Sequence, residues 1–319
     1  MEVVRDLENF NGSQKTVLTI GTFDGVHIGH QKIIHQLVTT AKQNGLQSVV
    51  LTFFPHPRMV LQKESTVKMI DTLSEKIAWL DQLGVDTLII HPFSIAFSRT
   101  SALTFARDII SDQLRCEKVI IGYDHRFGQN REATITDLET YGQLYGFEVV
   151  VIPAQDIASI AVSSTKIRNA ITAGDVPMAN NYLNRPFRLS GTVVSGNRIG
   201  KTIGFPTANI HIQESYKLWP PKGVYLVQST LDNEIQWGMM NIGNRPTVAG
   251  SHTTIEVHFF ELDQDLYDTN LRLDILLKIR DEKKFDSLQA LQSQLEKDKA
   301  HCLATIPSIQ QGTTTFTKN

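Results

Sequence analysis

VLTIGTFDGVHIGHQKIIHQLVTTAKQNGLQSVVLTFF, residues 17–54, joins two β-rich apolar runs through a helical stripe. The first run, residues 17–23, predicts a short buried strand, and residues 47–54 predict the next one. Between them, residues 30–43 have apolar side chains at helical spacing, namely Ile33, Ile34, Leu37, Val38 and Ala41. A strand, a crossover helix and a second strand are the building unit of a parallel sheet.

The same alternation continues to residue 153. Strand-like runs follow at 85–93, 118–124 and 147–153. Helices are predicted between them, one after the capping-box pair Thr72 and Glu75, and the others over 100–114 and 134–146. We therefore expect a parallel sheet flanked by helices, with ligands bound at the carboxyl ends of its strands.

The pattern changes near residue 185. Five short β-like runs follow, separated by Gly, Pro, Asn and Asp: FRLSGTVV, VYLVQST, IQWGMMNI, TTIEVHFFE and LRLDILLKIR. They predict a small antiparallel barrel or sandwich of about 100 residues. Residues 285–304 return to helical spacing and are expected to pack on it. We therefore divide the chain into domains 1–184 and 185–305, followed by a flexible tail, 306–319.

Composition excludes several classes of protein. The chain has 31 Lys and Arg against 33 Asp and Glu, a balance that does not favour bulk nucleic-acid binding. No apolar run approaches the roughly 18 residues of a membrane span. The only cysteines, Cys116 and Cys302, are too few for a disulfide framework. We expect a cytoplasmic monomer or weak homo-oligomer that binds neither nucleic acid nor membrane.

The first candidate site is Gly21–His30, GTFDGVHIGH, where the first strand gives way to a helix. Glycines there let backbone amides approach a phosphate, and the helix dipole favours its charge. His27 and His30 are three residues apart, so both could face one ligand and stabilise charge during phosphoryl or nucleotidyl transfer. A metal half-site and simple helix capping are the alternatives.

This string resembles the HxGH signature of nucleotidyltransferases, and its full length is similar to the prokaryotic bifunctional FAD synthetases. Residues 122–128, GYDHRFG, and 162–168, VSSTKIR, resemble two further elements of that family. The hydroxyls in 163–165 can cap a helix and donate to phosphate, and Arg168 offers a two-pronged donor to the same anion. Taken alone, SSTKIR is more typical of an N-cap followed by a surface helix.

The resemblance implies a Rossmann-like nucleotidyltransferase domain with His27 and His30 as catalytic residues. It implies ATP contacts from both segments, listed as Gly21, Phe23, Asp24, Gly29, Ser163, Ser164, Thr165 and Arg168. It places Phe54, Asp124 and Phe127 at the flavin, although a packing role for Phe54 is an alternative. His125 stands where the family usually has Phe.

The second candidate site begins at Gly191, which is followed by Gly196 and Gly200. This spacing is neither a P-loop nor a Rossmann fingerprint. In the following FPTAN, Thr207 and Asn209 are two residues apart, so in an extended segment both point to one face. A hydroxyl and an amide oxygen are hard ligands suited to Mg²⁺. An exposed turn set by a proline is the alternative.

The whole string GTVVSGNRIGKTIGFPTANI, residues 191–210, resembles the riboflavin kinase signature. Downstream, NIGNRPT, IEVH and DLY, residues 241–247, 255–258 and 265–267, repeat that family's order. Arg280, Glu282 and Phe285 match its R-x-E-x-x-F ending. Asp268 replaces a usual glycine, which we expect to alter a turn and not the chemistry.

The resemblance implies that Gly196, Gly200, Thr207 and Asn209 hold ATP and Mg²⁺ and that Arg280 and Glu282 lie at the flavin. Glu256 lies in an alternating strand and would act as general base toward the ribityl hydroxyl. The alternative for Glu256 is a solvent-facing strand residue.

Both resemblances occur in the expected order and cover about residues 15–300. They imply a bifunctional enzyme that uses riboflavin, FMN and ATP as substrates, with Mg²⁺. Two alternatives remain open: a non-catalytic flavin sensor on this scaffold, and a riboflavin kinase whose first domain is vestigial or regulatory.

Overall fold

The computed structural model describes residues 1–62, 67–153, 162–196, 199–247 and 250–311. By their internal contacts the residues divide into two compact units, Met1–Ser163 and Ser164–Asn319.

The first unit contains a parallel sheet, as predicted, and this sheet has six strands. Its strands are β1 (Glu2–Arg5), β2 (Thr16–Ile20), β3 (Gln47–Phe53), β4 (Thr87–His91), β5 (Cys116–Gly122) and β6 (Glu148–Ile152). They lie in the order β1-β4-β3-β2-β5-β6, and every pairing is parallel. The edge strand β1 was not predicted, because it has four residues of which only Val4 is buried.

Helices connect these strands. They are α1 (Ile28–Asn44), α2 (Pro57–Leu61), α3 (Leu73–Gln82), α4 (Ala102–Thr104) and α5 (Ile135–Tyr145). The predicted capping box is present at the start of α3, where Thr72 and Glu75 bond each other's backbone amides. The helix predicted over 100–114 is instead mostly π-helical, because α4 continues as a π-helix over Phe105–Gln113.

Two apolar layers cover the two faces of the sheet. Alternate residues of a strand enter opposite layers, so Leu51 and Val50 belong to different clusters. After β2 the chain builds β3 and β4 on one side of β2, and it then returns to place β5 and β6 on the other. The topological switch point therefore lies between the carboxyl ends of β2 and β5, where open α/β sheets bind ligands.

The second unit begins with α6 (Ser164–Ala173) and α7 (Val176–Leu183) and continues into a closed antiparallel barrel. The barrel strands are β7 (Phe187–Val194), β8 (Ala208–His211), β9 (Gly223–Leu231), β10 (Glu234–Thr247), β11 (Gly250–Phe259) and β12 (Asn270–Asp281). Their order is β10-β11-β8-β7-β12-β9, and the short α8 (Ile199–Thr202) lies between β7 and β8. The predicted antiparallel barrel is thus confirmed in its closed form.

The terminal helix α9 (Leu288–Gln310) is longer than the helix predicted over 285–304. It continues through Pro307, so the first five residues of the expected tail, 306–310, are helical. Apolar residues of α9 join a cluster with barrel residues Phe205 and Phe260, and this packing favours the extra turn. Residues 312–319 of the expected tail lie outside the described residues.

Candidate active sites

The Gly21–His30 loop leaves β2 in an unusual backbone conformation. Phe23, Gly25 and Val26 have φ angles of 46°, 86° and 37°. Positive φ is uncommon for non-glycine residues, and such strain persists only where surrounding structure imposes it. Gly25 also has no room for a side chain, because a Cβ would lie 2.9 Å from the Cδ1 atom of Ile70.

The two histidines of this loop stack on each other at the start of α1. His27 is the N-cap, and its Nδ1 accepts a hydrogen bond from the backbone amide of His30 at 3.4 Å. The ring centroids are 3.6 Å apart, and Phe23 meets the His30 ring edge-on at 5.2 Å. His27 is therefore a helix cap, and this role is compatible with a second role for its ring.

Both imidazoles are neutral near pH 7. Burial lowers the pKa of His27 to about 4. Burial, followed by the charges of His27 and Lys76, lowers the pKa of His30 well below its usual value. His30 Nδ1 is buried and has no hydrogen-bond partner among the described residues. Two uncharged rings at a helix N-terminus can donate hydrogen bonds to phosphate oxygens without themselves titrating.

The other predicted residues of this loop support its shape. The backbone amide of Gly21 donates to the carbonyl of Leu51 at 3.1 Å, which fixes the exit from β2. Asp24 is 2% exposed, and its Oδ1 accepts from the backbone amide of Ile70 at 3.0 Å. Gly29 is buried in the first turn of α1.

The segment after β5 places its predicted residues in different environments. Asp124 is exposed, whereas Phe127 is buried and pairs its backbone with that of Ala133. His125 lies nearly parallel to Phe127 at 6.2 Å, and burial lowers its pKa to about 4. His125, which stands where the family usually has Phe, is thus also a flat, uncharged ring.

Phe54 and Phe127 lie on opposite faces of the sheet. Phe54 packs against the layer that contains Phe23, and Phe127 belongs to the other layer. The neighbour of Phe54 in sequence, Phe53, packs on the Phe127 side. The structure therefore does not bring the two predicted flavin residues into one apolar layer, and the alternation of side chains along β3 was the sequence signal for this.

The SSTKIR segment forms the start of α6. Ser163 and Thr165 are exposed, Ser164 and Arg168 are half-buried, and Ile167 anchors the helix in the core. The hydroxyls therefore cluster at a helix N-terminus, as the sequence predicts.

In the barrel, the strand register gathers the predicted kinase residues. Glu256 on β11 lies directly opposite Asn209 on β8 and Asn241 on β10. Directly paired residues point to the same side of a sheet, so these side chains share one face. Thr207 Oγ1 donates to Glu256 Oε2 at 3.4 Å. Glu256 is half-buried, and its role as general base stays a prediction.

Two glycines before β8 lie against the FPTAN segment, residues 205–209. A Cβ on Gly196 would be 2.1 Å from the Nδ2 atom of Asn209, and a Cβ on Gly200 would be 2.2 Å from the carbonyl oxygen of Phe205. Only glycine permits such close contact. Asn197 and Arg198, which the kinase-like string includes between them, lie outside the described residues.

Sequence reasoning gave no role to His258. Its Nδ1 donates to the carbonyl of Pro206 at 2.8 Å, and its ring packs on Phe205 at 5.1 Å. Burial lowers the pKa of His258. His258 therefore fixes the turn before Thr207, and its position two residues after Glu256 was the available signal.

The end of β12 provides the last two predicted residues. Glu282 Oε1 accepts from the backbone amide of Asn244 at 3.0 Å and lies beside Gly243. The guanidinium of Arg280 is bound by Asp298 of α9, with Nε to carboxylate distances of 3.0 and 2.9 Å. The described structure thus shows Arg280 joining the barrel to α9.

Asp268 has a φ angle of 61°. The glycine usual at this position in riboflavin kinases suits the left-handed conformation, and Asp is one of the few other residues that tolerate it. The expected alteration of this turn relative to the family stays a prediction.

Two features are absent among the described residues. No cluster of three or more His, Cys, Asp or Glu side chains suited to a metal occurs among them. None of their helices is long and apolar enough to cross a membrane.

Comparison with known proteins agrees with the order of the two sites. The FAD synthetase family model matches residues 10–166, and the riboflavin kinase model matches residues 183–306. A bifunctional riboflavin kinase/FMN adenylyltransferase from Listeria monocytogenes is 39% identical over 92% of this chain and 93% of its own. The protein of that name from Escherichia coli K12 is 34% identical over 93% and 96%.

A solved structure is similar along nearly the whole chain. It is a crystal structure described as a macrolide-efflux protein from Streptococcus pneumoniae, with a TM-score of 0.85 and 30% identity. The match covers 94% of this chain and 98% of the other. With both family models matched and relatives above 30% identity over most of their length, this chain belongs to the family of bifunctional riboflavin kinase/FMN adenylyltransferases.

Proposed function

We propose that this chain phosphorylates riboflavin to FMN in its barrel and adenylylates FMN to FAD in its first domain, residues 1–184, using ATP in both reactions. The observation on which this rests is the presence of two differently built sites in one chain. One has stacked neutral histidines at a helix N-terminus, and the other has a carboxylate among polar side chains on a barrel face.

In the kinase reaction, Glu256 is the proposed general base. It removes the proton of the terminal ribityl hydroxyl, whose oxygen then attacks the γ-phosphorus of ATP, and ADP leaves. The hydrogen bond from Thr207 orients the carboxylate. Gly196 and Gly200 are proposed to let the loop backbone lie close to the ATP phosphates. Their close contacts with Asn209 and Phe205 leave no room for a side chain at either position.

Thr207 and Asn209 are the proposed holders of Mg²⁺. The hydroxyl and the amide oxygen are hard oxygen donors of the kind that this ion prefers, and Mg²⁺ commonly takes only one or two protein ligands beside phosphate and water. When bound, the ion neutralises the charge on the transferring phosphoryl group.

In the adenylyl transfer, an FMN phosphate oxygen attacks the α-phosphorus of ATP, and pyrophosphate leaves. The FMN phosphate is already ionised, so this step needs no strong base. His27 and His30 are proposed to donate hydrogen bonds to the phosphates at the positive end of α1. The remaining proposed ATP contacts are Gly21, Phe23, Asp24, Gly29, Ser163, Ser164, Thr165 and Arg168.

The flavin contacts remain proposals as well. Phe54, Asp124 and Phe127 are proposed for the adenylylation site, and Arg280 and Glu282 for the kinase site. For Arg280 we propose a contribution through the segment that its Asp298 ion pair holds in place. The functional domain boundary is proposed at residues 184/185, supported by the start of the riboflavin kinase match at residue 183.

The test is a time course of purified protein with riboflavin, ATP and Mg²⁺, with chromatographic separation of the flavins. FMN followed by FAD is the expected result. FMN alone would support the monofunctional kinase, and no conversion under varied metal and redox conditions would support the flavin sensor.

Two variants assign the reactions to the sites. Glu256→Gln is expected to abolish FMN formation and to leave FAD formation from added FMN intact, with Glu261→Gln, an exposed carboxylate nearby, as the matched control. His30→Ala is expected to have the reverse effect. Normal riboflavin phosphorylation by Glu256→Gln would show the base assignment to be wrong.

A cytoplasmic location and a monomeric or weakly associated state remain predictions, as does the lack of nucleic-acid and membrane partners. Both proposed reactions consume ATP, which supports the location.

A further inference from the structure

Lys76, on the first turns of α3, is a buried cation that the two reactions described above do not use. It is 7% exposed. Lysine is almost never buried without a partner. Its Nζ donates to the carbonyl oxygen of Thr22 at 2.7 Å. Burial lowers the pKa of Lys76, and the charges of Asp24 and Asp71 act in the opposite direction.

The segment that contains Lys76 contacts the Gly21–His30 loop at three points. Lys76 binds the Thr22 carbonyl, the Ile70 amide binds the Asp24 carboxylate, and the Ile70 side chain lies directly beneath Gly25. Between Thr22 and Val26 the backbone has three positive φ angles, two of them at non-glycine residues. A loop in this conformation needs external contacts to hold it. These three act together with Thr52, whose Oγ1 also donates to the Thr22 carbonyl, at 3.3 Å.

Lys76 also acts on the histidines. The pKa of His30 is lowered by three causes, which are burial, the charge of His27 and the charge of Lys76, in decreasing order. The carboxylates facing Lys76 are Asp24 from the loop and Asp71 from the segment before α3. Its position is fixed by the capping box at the start of α3.

We propose that Lys76 is a positioning residue of the adenylyl-transfer site, which holds the Thr22 carbonyl and thereby the loop in the shape that presents His27 and His30 to phosphate. The proposal rests on the roles proposed for these two histidines. Lys76 need not touch ATP or FMN for this role.

The test compares Lys76→Met, Lys76→Arg and the exposed Lys42→Met in the full chain. FAD formation from FMN is measured between pH 3.5 and 8, and thermal unfolding is recorded for each protein across that range. We expect Lys76→Met to lose tenfold or more in kcat, because the Thr22 carbonyl loses its hydrogen bond from Lys76. We also expect the acidic limb of its pH profile to move to higher pH, because removal of a neighbouring positive charge raises the pKa of His30. Lys76→Arg retains the charge but not the compact ammonium, so we expect a lower kcat with an unmoved acidic limb. Lys42→Met should match the wild type.

The outcomes separate this proposal from the proposed function. If the wild type forms no FAD, the proposed function fails. If the wild type forms FAD and folded Lys76→Met does so at the same rate with the same pH profile, only the role of Lys76 fails. Loss of the folded state in both Lys76 variants would also overturn it, in favour of a purely structural lysine.

Discussion

Replacement of Gly200 by alanine tests the proposed kinase site through one added methyl group. The new Cβ would lie 2.2 Å from the carbonyl oxygen of Phe205, and real Cβ contacts essentially never fall below 3.0 Å. The neighbour is backbone and cannot rotate away, so Phe205 must move by roughly 0.8 Å or more. Pro206 and Thr207 follow directly in the chain and must move with it.

The displacement would move Thr207 relative to Glu256, the proposed general base. Pro206 is held by His258 through its carbonyl, and Thr207 contacts Glu256 at 3.4 Å. Misplacement of catalytic groups by about 1 Å costs on the order of 10²-fold in rate. We therefore expect Gly200→Ala to reduce the kcat for FMN formation about 100-fold, with FAD formation from added FMN unchanged.

The assay is initial-rate FMN formation at saturating riboflavin and ATP, with FAD formation by the same preparation as internal reference. Gly204→Ala is the matched control, since a Cβ there meets nothing within 4 Å, although its φ of +82° costs about 1 kcal/mol of stability. A wild-type kcat for Gly200→Ala, or an equal loss in Gly204→Ala, would refute the steric reasoning.

Three further measurements follow from buried groups. Asp298→Ala leaves the Arg280 guanidinium without its carboxylate and should destabilise the barrel unit by about 3 kcal/mol in urea unfolding, whereas Asp298→Asn should cost less. His27 and His125 have pKa values of about 4 in the folded protein against about 6.5 in the unfolded chain. As the pH falls from 6.5 to 4, the free energy of unfolding of the first unit should therefore decrease by about 1.4 kcal/mol per histidine for each pH unit. The measurement is a falling urea midpoint. Constant stability over that range would contradict their burial as neutral rings. Cys116, whose pKa burial raises to about 12, should resist iodoacetamide at pH 8 until denaturant is added, and reaction in the native protein would show otherwise.

Local patterns were sufficient to predict most of the fold. Apolar periodicity gave five of the six parallel strands, and the residue pair Thr72 and Glu75 located the start of α3. β1 was not predicted, because an edge strand with one buried residue has no detectable apolar periodicity. The π-helix after Thr104 was predicted as an α-helix, because its apolar spacing resembles that of an α-helix.

The site residues depended on contacts between segments far apart in sequence. The proximity of Thr207 to Glu256 follows from the pairing of β8 with β11, which sequence alone does not give. Lys76 is distant in sequence from the loop that it holds and matches no motif. The ion pair of Arg280 with Asp298 likewise depends on how α9 packs, which is a tertiary property.

The two sites differ because their proposed nucleophiles differ. A ribityl hydroxyl is neutral and must lose a proton, so the barrel needs a carboxylate, and Glu256 is half-buried beside a hydroxyl donor. An FMN phosphate is already an anion, so the first site needs no base. It needs uncharged groups that donate hydrogen bonds to phosphate oxygens. Stacked imidazoles whose pKa values are lowered by burial meet that need. Loss of a carboxylate should therefore impair only the reaction in which a proton is removed, and loss of an imidazole only the reaction in which charge is stabilised.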